Sequence, residues 1–307
     1  MIYQNALDLI GNTPVVRLSR FQGTEPGGDL YIKLEKNNPG GSIKDRPGLY
    51  ILEKAEQTGR LAPGGTVIEA TSGNMGIGLA VAATVKGYRL CLVMPENMSI
   101  ERQKLLRFYG AELVLTPAAE GMAGAVAKAQ SLASETAGSY LVSQFDNRDN
   151  AACHAQTTAR EILEQLAADG GLAAVVAGIG SGGTITGLGE AFRSLAPSVK
   201  IIGVEPAASA VINGEQPGNH KIQGIGAGFF PGILNLNVID EVVPVRDEDA
   251  IACARRLARA EALLIGISAG AALWAATHIR SRFLPGERIL VIAPDGADKY
   301  ISTELFD

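Results

Sequence analysis

Lys44 closes the run Asn37-Asn-Pro-Gly-Gly-Ser-Ile-Lys44, where a loop gives way to a new element. Ser42 suits a helix N-cap, which predicts Lys44 in the first helical turn. An ammonium facing the positive end of a helix has its pKa lowered, and Schiff-base chemistry with a carbonyl needs such an amine. Taken alone, the same lysine also reads as a solvated surface charge. In Thr71-Ser-Gly-Asn-Met-Gly76, two hydroxyls, an amide and helix-start N–H groups offer the donors that a carboxylate requires. An ordinary capped turn is the plainer reading of that segment. Gly178-Ile-Gly-Ser-Gly-Gly-Thr-Ile-Thr-Gly187 follows the apolar run Leu172-Ala-Ala-Val-Val-Ala177. Backbone N–H groups in such a loop crowd a phosphate, and the helix dipole adds to the attraction. Gly178, Gly180 and Gly183, with Glu205 downstream, also fit the dinucleotide fingerprint, so this loop leaves an NAD site open. Ser268 ends a fourth small-residue loop, either as an N-cap or as a hydroxyl offered to a ligand.

These loops lie between strand-like and helical runs that alternate along most of the chain. Strands are predicted at 66–70, 90–94, 112–116, 173–177, 200–204 and 289–293. Helices are predicted at 76–86, 99–109, 121–136, 187–195, 247–260 and 269–280. The alternation argues for an α/β fold with parallel sheets covered on both faces, whose ligands collect at the carboxyl ends of strands. The polar segment Gln144-Phe-Asp-Asn-Arg-Asp-Asn150 separates two runs of βα units and reads as an inter-domain crossing.

The chain of 307 residues is long enough for two α/β domains, and its net charge of −5 gives no support for nucleic acid or an anionic membrane as partner. The amino terminus, Met1-Ile-Tyr-Gln-Asn-Ala-Leu-Asp8, lacks the basic and apolar regions of a secretion signal. No run approaches the roughly 18–20 apolar residues of a membrane span. Cys91, Cys153 and Cys253 are odd in number and far apart, which suits reduced thiols in a cytoplasm. His154, His220 and His278 have no metal-ligand spacing.

In order, the lysine loop, the Thr-Ser-Gly-Asn loop, the glycine-rich loop and the late serine resemble the O-acetylserine sulfhydrylases, or cysteine synthases. These form part of the β-replacement branch of fold-type II pyridoxal-phosphate enzymes, and the chain is most similar to the cysteine synthase A type. The similarity also takes in Ile10-Gly-Asn-Thr-Pro14, Met94-Pro-Glu-Asn-Met-Ser-Ile-Glu-Arg102, His220-Lys-Ile-Gln-Gly-Ile-Gly-Ala-Gly-Phe-Phe-Pro231 and Lys299-Tyr-Ile-Ser-Thr303. It implies a tryptophan synthase β-like fold of two βα domains, each with a mainly parallel twisted sheet flanked by helices. The smaller, mobile, substrate-binding domain would comprise 1–12 and 36–147. The larger domain, binding the cofactor phosphate, would comprise 13–35 and 148–307, and the whole is usually a homodimer.

The resemblance assigns roles residue by residue. Lys44 would join pyridoxal 5′-phosphate as the internal aldimine and later move protons. Asn74 would hydrogen-bond the coenzyme's 3′-oxygen, and Ser268 would meet its pyridine nitrogen. Gly180, Ser181, Gly182, Gly183 and Thr184 would cradle its phosphate. Thr71, Ser72, Asn74 and Gln144 would hold the substrate's α-carboxylate, with Met75 in the same loop. A serine at the pyridine nitrogen leaves the ring a weaker electron sink than a carboxylate would, which favours β-elimination over transamination. The implied reaction is loss of acetate from O-acetylserine, with Lys44 taking the α-proton. Sulfide then adds to the aminoacrylate to give cysteine. The carboxyl-terminal tail of serine acetyltransferase is the implied protein partner.

Met75 stands where the family pattern has threonine. Its side chain offers no hydroxyl, so a carboxylate loses one hydrogen bond worth about 1.5–3 kcal/mol while the backbone N–H remains. That departure leaves cystathionine β-synthase, lanthionine synthase and cysteine desulfhydrase activities open. Ala227-Gly-Phe-Phe230 lacks the arginine that a phosphorylated donor would want. Two readings of other classes also stand: an NAD-dependent dehydrogenase, which would leave Lys44 and the Thr71 loop unused, and a regulatory partner of serine acetyltransferase.

Overall fold

The computed structural model describes residues 2–23, 26–166 and 171–307; Met1, which opens the amino-terminal segment read above, lies outside them. The chain forms two compact units, one from Met1–Ile10 and Asn38–Asn150, the other from Gly11–Asn37 and Ala151–Asp307.

The first unit is built on a four-stranded sheet. Its strands are β3 (Thr66–Ala70), β4 (Arg89–Pro95), β5 (Glu112–Thr116) and β6 (Ser139–Leu141), in the order β5-β4-β3-β6 and all parallel. Helices α1 (Asp45–Gln57), α2 (Asn74–Lys86), α3 (Ile100–Phe108) and α4 (Gly121–Glu135) belong to the same unit. Helix α2, Asn-Met-Gly-Ile-Gly-Leu-Ala-Val-Ala-Ala-Thr-Val-Lys, is apolar around most of its surface and is correspondingly buried from Met75 to Ala83. Each fully buried Leu or Ile of this core, such as Ile51, Leu52, Leu79 and Leu92, contributes about 1.5–3 kcal/mol.

Helices α1 and α2 meet backbone to backbone. A Cβ on Gly78 would fall 2.3 Å from the Lys44 carbonyl oxygen, and one on Gly48 would fall 2.6 Å from the Gly78 carbonyl carbon. Gly48 lies four residues after Lys44 and Gly78 four residues after Asn74, one helical turn in each case. The glycine crossing therefore sets the Lys44 backbone against Gly78, one turn into α2 from Asn74.

The second unit holds a six-stranded sheet of β1 (Val15–Arg17), β2 (Asp29–Leu34), β7 (Leu172–Gly178), β8 (Lys200–Pro206), β9 (Glu241–Val245) and β10 (Arg288–Ala293). The strand order is β1-β2-β10-β7-β8-β9, parallel except for the β1–β2 pair. Helices α5 (Asp149–Gln156), α6 (Thr158–Leu166), α7 (Gly183–Leu195), α8 (Asp247–Glu261) and α9 (Ile267–Ile279) complete the fold. Helix α9 is rich in alanine, and a Cβ on its Gly270 would lie 2.2 Å from the Ala250 carbonyl oxygen of α8. Only glycine admits that approach.

The predicted strands 66–70 and 112–116 form with those bounds, and the other predicted elements form with shifted ends. Helix α7 begins four residues before the predicted 187 because its first turn, Gly183-Thr-Ile-Thr186, has a single apolar residue and so no apolar period. Strands β1, β2, β6 and β9 carry too weak a pattern to be read. Two span only three residues, Pro244 interrupts β9, and β2 contains Lys33 at an interior position. Lys33 is fully buried because Glu161 (2.9 Å), the Thr13 carbonyl and the Gln165 amide oxygen take up its ammonium. Among the described residues, no helix is long and apolar enough to cross a membrane, and no cluster of His, Cys, Asp and Glu could hold a metal ion.

Candidate active site

Lys44 is itself the N-cap residue of α1, with φ −74° and ψ −12°. This corrects the expectation that Ser42 caps the helix with Lys44 in its first turn. Ser42 is buried and its hydroxyl accepts the Lys44 N–H at 3.2 Å, so it holds the approach to the helix. The Lys44 carbonyl accepts from Gly48 N at 2.9 Å and abuts Gly78. Its side chain is half-buried.

The loop 71–76 leaves the carboxyl end of β3 and enters α2, whose N-cap is Gly73. Thr71 is buried; its N–H donates to the Val93 carbonyl (3.0 Å) and its hydroxyl accepts from Gly73 N (3.2 Å). Arg102 Nη1 donates to the Ser72 carbonyl at 3.0 Å and pins the loop from α3. Ser72 and Asn74 are half-buried at the helix start, where the α2 dipole favours an anion. Met75 is only 2% exposed and belongs to the apolar core of this unit. What it brings to the loop is a backbone N–H, while its thioether fills space inside.

Gln144 lies just past β6, the neighbour of β3, and is buried. The Glu69 carboxylate, also buried, accepts from Ser143 N (2.8 Å) and Gln144 N (3.3 Å). Asn150 Nδ2 donates to the Gln144 carbonyl at 2.9 Å. Ser143 sits at φ +52°, a left-handed conformation uncommon outside glycine, held by Glu69 at its N–H and by the Asp146 and Asn147 N–H groups at its carbonyl. Burial pushes the Glu69 carboxyl up to about 7, against the pull of the two backbone N–H groups and the Lys44 charge. Neither Glu69 nor Arg102 was singled out from sequence as a site residue; both act on backbone at long sequence separation, which no local pattern reveals.

In the second unit, the loop after β7 carries Gly180, Ser181, Gly182, Gly183 and Thr184 into α7. The first helical bond is Thr186 N to the Gly182 carbonyl (3.0 Å), so the N–H groups of Gly183, Thr184 and Ile185 precede it. A Cβ on Gly180 would lie 2.4 Å from the Gly224 carbonyl oxygen, and Gly182 has φ +84° with Leu234 3.1 Å from its Cβ position. Gly180 and Gly182 thus pack against their own protein neighbours, and the N–H groups of Gly183, Thr184 and Ile185 lie at the positive end of α7.

Ser268 stands in the first turn of α9 and is buried, while the N-cap is Gly266. This corrects the N-cap reading of the serine. Gly266 N donates to the Asp295 carbonyl (3.1 Å), just beyond β10, and β10 lies beside β7 in the sheet. The helix start with Ser268 and the 180–184 loop thus share one carboxyl edge. Among the described residues, the Ser268 hydroxyl has no protein hydrogen-bond partner. A glycine-rich helix start that suits a phosphate and a serine hydroxyl in the first turn of α9, on the same sheet edge, fit a phosphorylated pyridine. Glu205 serves a different purpose from the ribose contact of a dinucleotide site. Its two oxygens accept from Ile212 N (2.9 Å) and Asn213 N (3.0 Å).

The chain matches the pyridoxal-phosphate dependent enzyme family over residues 6–295 and belongs to it. Among its relatives is a probable cysteine synthase of Bacillus subtilis, 47% identical over 306 residues, covering 99% of this chain and 98% of that protein. The crystal structure of a cysteine synthase (OASS) from Entamoeba histolytica superposes with a TM-score of 0.94 at 39% identity, over 100% of this chain and 91% of that one. An O-acetylserine dependent cystathionine beta-synthase from Helicobacter pylori gives a TM-score of 0.92 at 40% identity, over the full length of both chains.

Proposed function

We propose that this chain makes L-cysteine from O-acetyl-L-serine and sulfide, with pyridoxal 5′-phosphate as coenzyme. When bound, the coenzyme supplies an electron sink for the substrate's α-carbon. Lys44 holds it and moves the α-proton, Asn74 meets its 3′-oxygen, and Ser268 donates a neutral hydrogen bond at the pyridine nitrogen. Residues 180–184 bind the phosphate through N–H groups and two hydroxyls. Thr71, Ser72, Asn74, Gln144 and the Met75 N–H receive the α-carboxylate. Carboxylate binding in the Thr71 loop excludes water, which protects the reactive product of acetate loss until sulfide adds. The observation that carries this reading is the pairing of the close α1–α2 crossing, with the Lys44 carbonyl against Gly78, with near-full-length similarity to cysteine synthases. A homodimer, a cytoplasmic location and binding of the serine acetyltransferase tail belong to the same proposal. Family resemblance supports the first and third, and three buried cysteines outside any disulfide support the second.

The test is a substrate panel on purified protein. O-Acetylserine, O-phosphoserine, serine and cysteine serve as donors, with sulfide, cysteine and homocysteine as nucleophiles. The expected result is a yellow protein that converts O-acetylserine and sulfide to cysteine fastest, and a Lys44→Ala variant at least about 10³-fold slower. Faster turnover with homocysteine would overturn the substrate assignment in favour of cystathionine synthesis, the activity of the Helicobacter relative. A colourless protein that binds NADH would overturn the whole reading.

A further inference from the structure

His154 is fully buried on α5, and its ring joins two threonines. Nδ1 lies 3.0 Å from Thr158 Oγ1 and Nε2 lies 3.3 Å from Thr184 Oγ1. The ring reaches Thr184 because α5 presses on α7 at a glycine. A Cβ on Gly187 would fall 2.1 Å from the Ala151 carbonyl oxygen and 2.8 Å from the His154 Cβ. Nothing in the roles described so far uses this histidine.

We infer that His154 is the positioning residue of the phosphate cradle: it donates its Nε2–H to Thr184 Oγ1 and so turns the threonine O–H outward, toward a phosphate. The inference rests on the reading that residues 180–184 bind the coenzyme phosphate. A threonine hydroxyl has one proton and two lone pairs, and a neutral imidazole has one donor and one acceptor nitrogen. With Nε2 bare, Thr184 would spend its proton on the ring and present lone pairs to the anion, which repels. With Nε2 protonated, the ring occupies a Thr184 lone pair and the hydroxyl proton is left for the phosphate. Nδ1 then becomes the acceptor, and Thr158 Oγ1 is placed to donate to it. One tautomer satisfies all three groups, and a phosphate monoester selects it. Complete burial removes competing water and strengthens both bonds.

The experiment combines nitrogen-15 NMR of the histidine-labelled holoprotein with rates of coenzyme loss from the holoprotein of each variant. In wild type the His154 Nε2 should be protonated and Nδ1 bare. His154→Phe removes the donor and should speed coenzyme loss about ten- to hundredfold. His154→Gln, whose amide N–H reaches the same place, should recover most of the retention. In the His154→Phe background, Thr184→Val should have little further effect. A bare Nε2 in wild type, unchanged retention in His154→Phe, or equal losses in the Phe and Gln variants would overturn the inference. If Thr184→Val alone retains coenzyme like wild type, the phosphate assignment itself fails. If Thr184→Val loses coenzyme but His154→Phe does not, only the role of His154 fails.

Discussion

The loop after β3 and the loop after β7 share a plan: a parallel strand, a turn of small residues, then a helix N-terminus. They differ in what fixes them. Loop 71–76 is tied by side chains, through the Thr71 hydroxyl and Arg102, and Glu69 at the end of its strand grips the neighbouring Gln144 turn. Loop 178–183 is tied by close backbone packing, with Gly180 against Gly224 and Gly182 against Leu234. Its strand, Leu-Ala-Ala-Val-Val-Ala-Gly, has no titratable group. Glycine packing suits an anion that stays for many turnovers, since a rigid cradle binds without reorganising. Side-chain ties suit an anion that comes and goes with each substrate, because they reset with small motions.

The largest break should come from the rigid loop. Gly180→Ala drives a methyl into the Gly224 carbonyl oxygen, 2.4 Å away, and backbone on both sides leaves little room to yield. That strain costs about 3 kcal/mol, so coenzyme affinity should fall about 100-fold. Titration of coenzyme into the variant checks it, and retained affinity would show that the loop is as adaptable as its counterpart.

Next is a pH effect confined to the first loop. Glu69 titrates at 4.5 when unfolded and at about 7 when folded. A raised carboxyl stabilises the fold fully below its unfolded value and loses that contribution as pH rises through the folded one. The difference amounts to up to about 3 kcal/mol. Wild type should therefore lose stability relative to Glu69→Gln between about pH 4.5 and pH 7. Urea unfolding across that window tests this, and parallel curves would remove Glu69 from the account.

A smaller change is expected from Arg102→Met. Losing the bond to the Ser72 carbonyl loosens the carboxylate loop, and donor KM should rise about tenfold with coenzyme affinity unchanged. Met75→Thr is the mildest. A missing hydroxyl at this position would act on substrate binding. Burial at 2% exposure places the residue in the core, so the variant should lose about 1–2 kcal/mol of stability. Donor KM should stay within about twofold, as steady-state kinetics would show.

The alternation of apolar strands and helices made the α/β fold legible, and the order of small-residue loops made its chemistry legible. Those signals are local: a glycine-rich run after a Val–Ala strand needs no partner to be recognised. The cap of α1 was misplaced because Ser42 has the right side chain, yet bonds the N–H of the cap residue instead. Glu69, Arg102 and His154 were silent because each acts across 30 or more residues, on a carbonyl, an N–H or a hydroxyl. Gly48, Gly78 and Gly187 read as ordinary helix glycines until their close neighbours are known.

The division of labour between the two loops is tested most directly by crossing two variants, Ser72→Ala and Thr184→Val, with coenzyme retention and donor KM measured on each. The account predicts that Ser72→Ala raises donor KM about tenfold and retains coenzyme, while Thr184→Val loses coenzyme about tenfold faster and, once saturated with it, shows an unchanged donor KM. Coenzyme loss from Ser72→Ala with a raised donor KM in saturated Thr184→Val would contradict it.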